Sequence, residues 1–248
     1  MVMDGKAYKP VNSANFKGNN METELIHGYN VTPLIPYNKA MPLLRRDIEK
    51  DGKVLSIRDL MYDAVTAHEN KEYEKRDFLL AKNLFIDAST SCPYYNNTFG
   101  VIHNSKSLLE VDEDTTLMNS VIPKTIEEYI LLARDNSEYF LSRSEEGLIL
   151  DTNLEEEQAL DSRVWFLFAG RDPILHKSFV KMRFSLSPKG SKLMGVYLPE
   201  DRPYPAERAW YLGNLDSGSG ANAGVDGDED ISRLLGVRTQ NLEKVLEK

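Results

Sequence analysis

Residues 153–170 read NLEEEQALDSRVWFLFAG, and their periodicity sets the expected fold. Glu155, Glu156 and Glu157 fall where the first turns of a helix would be, and the positive end of a helix dipole favours carboxylates there. Leu160, Val164, Leu167 and Phe168 follow at helical spacing, Trp165 widens the apolar stripe, and Gly170 ends it. Asp172 and Pro173 restart a helix, with a capping carboxylate and a proline at the first position. Leu175, Phe179 and Met182 mark its inner face. A central helix over 153–169, followed at once by a second, is the predicted heart of the molecule.

Working outward, Ser56 with Asp59 and Thr125 with Glu128 form capping boxes. The first precedes Ile57, Leu60, Met61, Ala64 and His68; the second precedes Ile126, Tyr129, Ile130 and Ala133. A further helix is expected over 72–86, short helices over 206–212 and 231–235, and a terminal one from Thr239. Short strands are expected at 99–102, 108–111, 139–142, 148–151 and 193–198, with 139–142 and 148–151 joined as a hairpin. Residues 89–98, STSCPYYNNT, read as loop. Residues 31–41, punctuated by Pro33 and Pro36 with Pro42 just beyond, read as a connector or edge segment. The fold class expected is α+β, mainly helical, with short antiparallel strands. By region this gives an extended N-terminal arm (1–30), a helical N-terminal region (31–111), an α+β region (112–212), a Gly-rich acidic loop (213–230) and C-terminal helices (231–248). Residues 31–248 can form one domain.

The chain has 248 residues and a hydrophobic fraction of 41%, enough to build a core without staples. Its one cysteine, Cys92, excludes an intrachain disulfide, and no Cys/His spacing matches a zinc site. The first twenty residues, MVMDGKAYKPVNSANFKGNN, lack the apolar segment of a secretory signal. The densest apolar run, 164–169 (VWFLFA), falls far short of a membrane span. A cytoplasmic protein without a membrane partner is therefore expected. The net charge of −9 weighs against nucleic acid, because neutralising phosphates calls for a basic surface.

No catalytic signature is present, which tilts the reading towards a protein without chemistry of its own and needing no cofactor. Cys92 and His103 are the candidate nucleophile and base for a hydrolase or transferase whose site is assembled from distant residues. Asp226, Asp228 and Asp230 alternate as cation ligands do. Ile231 and Val237 stand where an EF-hand needs glycine and glutamate, so no metal is expected. Gly218, Gly220 and Gly224 have no lysine among them to complete a phosphate loop.

The feature that points to a function is charge segregation. Arg171, His176, Lys177, Lys181, Arg183, Lys189 and Lys192 crowd into 171–192 against Asp172 alone, while 145–161 is acidic throughout. Such a segment suits an acidic protein or another polyanion, or else pairs internally with the neighbouring acids. The function expected is an intracellular binding or regulatory protein using 171–192, with an enzyme or a nucleic-acid accessory protein as alternatives. Residues 214–227 carry almost no large apolar group, so limited proteolysis is expected to cut there first. Cleavage within 153–169 ahead of it would refute this reading.

Overall fold

The computed structural model describes residues 21–33, 35–48, 52–80, 86–112, 114–115, 121–200, 202–213, 221–222 and 231–237. Most of the expected N-terminal arm, most of the Gly-rich loop and the helix from Thr239 lie outside the described residues.

The first half of the chain gives β1 (Glu24–Ile26), β2 (Tyr29–Val31), β3 (Ile35–Pro36), α1 (Tyr37–Ile48), β4 (Lys53–Val54), α2 (Ile57–Glu69) and α3 (Tyr73–Leu79). Next come β5 (Ile86–Tyr95), β6 (Thr98–Gly100), α4 (Lys106–Leu109), β7 (Ile122–Pro123), α5 (Ile126–Asp135) and β8 (Phe140–Ser142). The second half holds α6 (Glu156–Asp161), α7 (Arg163–Phe168), α8 (Pro173–Ser185), β9 (Val196–Tyr197), β10 (Ala206–Leu212), β11 (Ala221–Asn222) and β12 (Ile231–Val237).

A sheet, not a helical pair, organises the molecule. Its path runs β1-β2-β12-β5-β10-β11-β9, with β6 and β8 added beside β5 and β7 beside β10. Strand β12 joins late to early parts of the chain, pairing antiparallel with β2, β3 and β4 and parallel with β5. The β11–β9 pair is parallel as well. The expectation of a mainly helical fold with only antiparallel strands is thus overturned at its centre. Residues 89–98, read as loop, supply most of β5, and 206–212 and 231–235, read as helices, supply β10 and β12. The cause is burial on both faces. In β10, Ala206, Glu207, Arg208, Trp210 and Leu212 are all buried, so inside and outside residues do not alternate in polarity.

Several helices follow their local signals. In α2, Ser56 Oγ accepts from the Asp59 amide while the Asp59 carboxylate accepts from the Ser56 amide. The Thr125–Glu128 box opens α5 in the same way. Asp172 caps α8, accepting from the amides of Ile174 (2.9 Å) and Leu175 (3.0 Å). The expected central helix, however, breaks at Ser162, whose hydroxyl accepts from the Trp165 amide and starts α7 anew. Residues 108–111 are not a strand, because Leu108 and Leu109 end α4. The expected hairpin is absent too: β8 pairs with β6, and Asp151 donates its amide to Val196. The proline-punctuated stretch from Val31 holds the last residue of β2, all of β3 and the start of α1, which accommodates Pro42 and buries Ala40, Met41, Leu43, Leu44 and Ile48.

Two cores flank the sheet. The smaller places α1 against Leu108, Val111 and Leu234. The larger is built around stacked aromatic rings. Trp210 meets Phe168 edge-on at 5.0 Å and Phe99 at 6.5 Å; Trp165 meets Phe168 at 5.2 Å and Phe179 at 5.9 Å. Both indoles donate to carbonyls, Trp165 to Met194 (2.6 Å) and Trp210 to Gly100 (3.3 Å). Gly100 must lack a side chain, since a Cβ there would meet Pro93 at 3.0 Å and the Phe140 ring at 3.1 Å. Trp210→Ala is expected to lower the unfolding free energy by about 3–5 kcal/mol in urea denaturation, whereas a loss below about 1 kcal/mol would show that the aromatic stack does not bear on the fold.

Candidate recognition site

Helix α8 has two unlike faces. Leu175, His176, Phe179, Val180, Met182 and Arg183 are buried, holding the helix to α7 and α2. Ile174, Lys177 and Lys181 stand outward, with Ile174 77% exposed. The turn before the helix fixes this orientation. Gly170 (φ 67°) and Arg171 (φ 64°) reverse the chain in the left-handed region, and a Cβ on Gly170 would strike Arg58 at 2.5 Å.

Of the basic residues singled out in 171–192, the structure therefore brings only some together. Arg171, Lys177, Lys181, Lys189 and Lys192 are exposed, whereas His176 and Arg183 are buried. Lys192 is engaged internally, 3.0 Å from the Glu155 carboxylate. Lys177 and Lys181 have no carboxylate partner among the described residues. His176 donates from Nε2 to the Ala159 carbonyl (3.0 Å), and burial holds its pKa below the ordinary value, so it adds no charge at neutral pH.

Beside Lys177 lies a groove of about 550 Å³, formed where α6 breaks into α7 against the start of α8. Leu160, Phe166 and Pro173 give it an apolar lining, and Asp161, Arg163, His176 and Lys177 complete its wall. Arg163 is ion-paired with Glu145. The groove was hidden by reading 153–169 as one helix. The signal that marks it is Asp161-Ser162 in mid-run, where short polar side chains compete for the backbone.

Cys92 and His103 have other tasks. Cys92 is fully buried opposite Arg208 in the β5–β10 ladder, and desolvation pushes its thiol pKa well up, away from the thiolate a nucleophile needs. His103 sits between Thr90 Oγ1 (3.0 Å from Nδ1) and the Leu167 carbonyl (2.9 Å from Nε2). A carbonyl only accepts, so Nε2 carries the proton and Nδ1 accepts from Thr90, whose oxygen in turn accepts from the Ile57 amide. That chain pins α2 and α7 to β5. Asp226, Asp228 and Asp230 lie outside the described residues; among the described ones no His, Cys, Asp and Glu group of three or more is placed to hold a metal ion. Residues that composition did not single out form a buried ion pair on the sheet, with Lys124 Nζ 3.0 Å from Glu207 and Ser105 donating to the same carboxylate.

The architecture is the C-type lectin fold. It is shared with a solved structure from Nanoarchaeota in which the C-type lectin fold accommodates massive sequence variation, at a TM-score of 0.62 and 14% identity over 89% of this chain and 99% of that one. This likeness overturns the mainly helical α+β expectation. No family model matches the chain, and no curated protein matches it either. No helix among the described residues is long and apolar enough to cross a membrane.

Both interior histidines set a pH dependence. Burial is the main cause holding the His103 pKa down, opposed by the Leu167 hydrogen bond and Asp59. The unfolded chain then binds protons that the folded one does not, so stability falls as pH drops through about 6.5. The melting temperature is expected to fall between pH 7.5 and 5.5, with a shallower slope in His103→Gln; an unchanged slope would show that His103 is protonated without cost.

Proposed function

We propose that this protein is a cytoplasmic, non-enzymatic binding protein that recognises an anionic partner through the exposed face of α8. The observation that carries the reading is the pair Lys177 and Lys181, one turn apart, solvent-exposed and without a carboxylate partner among the described residues, on a helix whose opposite face is locked into the core. Exposed charges attract an anion at little desolvation cost, and a helix already ordered loses little entropy on binding. Arg171 and Lys189, beyond either end of the helix, are exposed as well. The lectin-fold structure from Nanoarchaeota, whose fold accommodates massive sequence variation, supports treating such a surface as separable from its scaffold. The enzymatic alternative gains nothing from Cys92, which is buried and protonated, nor from His103, whose two ring nitrogens are engaged.

Polyglutamate is expected to bind the full chain at low ionic strength with an affinity that falls steeply with salt, and a neutral glycan is not. Lys177→Glu with Lys181→Glu is expected to weaken that binding at least about tenfold while the melting temperature stays within about 2 °C, since an exposed pair is worth roughly 0–1 kcal/mol. If polyglutamate, heparin and single-stranded DNA all fail to bind at low salt, the proposal falls.

A further inference from the structure

We infer that the partner is a protein segment, an acidic peptide that seats one apolar side chain in the groove beside Lys177. The inference rests on the reading of α8 as a recognition face and adds what that face alone leaves open, the class of the anion. Two observations carry it. The groove between the α6–α7 break and α8 is lined by Leu160, Phe166 and Pro173, carbon surface that a phosphate backbone has no use for. Ile174 stands 77% exposed on the outward face of the same helix, one turn from Lys177. Apolar and cationic surface therefore meet along one strip, Ile174, Lys177, Lys181, with the groove opening at Lys177.

Charge complementarity selects the occupant. Lys177 and Lys181 call for carboxylates about one helical turn apart, which a peptide with acidic residues supplies on either side of an apolar anchor. The remaining groove charges do not oppose it: Arg163 is engaged by Glu145, and His176 is neutral and donates inward to Ala159. Asp161 on the groove wall disfavours a ligand carrying negative charge into the groove itself, as a polyphosphate would, and accepts one that enters with a neutral side chain. The groove's volume of about 550 Å³ is ample for a Leu or Phe side chain.

The test uses the full chain and three probes measured by isothermal titration: a Glu-rich peptide with one central Leu, the same peptide with Ala in its place, and a single-stranded oligodeoxynucleotide. The Leu peptide is expected to bind about tenfold more tightly than the Ala peptide, the gain from burying one apolar side chain. Phe166→Ala and Pro173→Ser are expected to erase that gain and leave the Ala peptide unaffected; Pro173→Ser, at the exposed start of α8, keeps the test valid if Phe166→Ala fails to fold. Equal binding of the two peptides overturns this inference while leaving the basic-face reading intact. Tighter binding of the oligonucleotide than of either peptide overturns it in favour of a nucleic acid. Failure of all three probes to bind removes both readings together.

Discussion

The structure depends on one strand that must be buried on both faces. From Ala88 to Tyr94 every residue of β5 is buried, so its backbone must be satisfied from inside and its polar side chains are cut off from water. The backbone is met by β10 on one side, by β6 and the Ser91–Ile102 bridge on the other, and by β12 at the start of the strand. Two of its hydroxyls, those of Ser89 and Thr90, are met by elements that the sheet must hold in place. Ser89 donates to Asn104 and reaches the Val54 carbonyl, and Thr90 links the Ile57 amide to His103 and through it to Leu167. Ser89 and Thr90 can occupy the centre of the fold because their hydroxyls also fasten a loop and two helices, whereas Ser91 Oγ is buried there with no hydrogen-bond partner among the described residues.

The smaller core lies elsewhere, under α1, which packs against β12, β2, β3 and β4 and so requires strands from early and late in the chain to lie together. Strand β12 does this by bridging β2 and β4 to β5, and Leu234 enters the smaller core beneath α1. The larger core is then free to take the aromatic column from Phe99 to Phe179, whose rings come from β6, β10, α7 and α8. The recognition helix is positioned by this column, not by contacts at its own surface.

What was legible in the sequence was local. Caps at Ser56, Thr125 and Asp172 satisfy amides within three residues, so spacing alone reveals them. The strands were illegible because alternation, the signal for a half-buried strand, vanishes when both faces are covered, as in Ala206-Glu207-Arg208-Ala209-Trp210. The buried Glu207 looks like a surface acid until Lys124 is brought from β7's end to meet it. The basic segment was legible in part. Its charge was counted along the chain, but His176 and Arg183 are seven residues apart and flank Phe179 and Val180, so helical spacing already places them inward. The groove needed the break at Ser162, where the hydroxyl caps α7 and Trp165 just beyond it donates to the Met194 carbonyl.

The division of α8 into a fixed and a free face bears on how such a site can serve recognition. Binding energy is lost whenever a surface must order itself to meet its partner. Here the order exists beforehand: Asp172 closes the helix start, the left-handed pair Gly170–Arg171 sets its direction, and six inward side chains hold its rotation. None of these devices uses the side chain of Ile174, Lys177 or Lys181. Substitutions at Ile174, Lys177 or Lys181 can therefore change what is bound without reaching Trp165 or Phe179. The groove is less free, because Phe166 also packs on the His176 ring at 6.0 Å and so couples the apolar seat to the buried hydrogen bond on Ala159. Changes in charge preference are consequently cheap for this fold, and changes in the shape of the apolar seat are not.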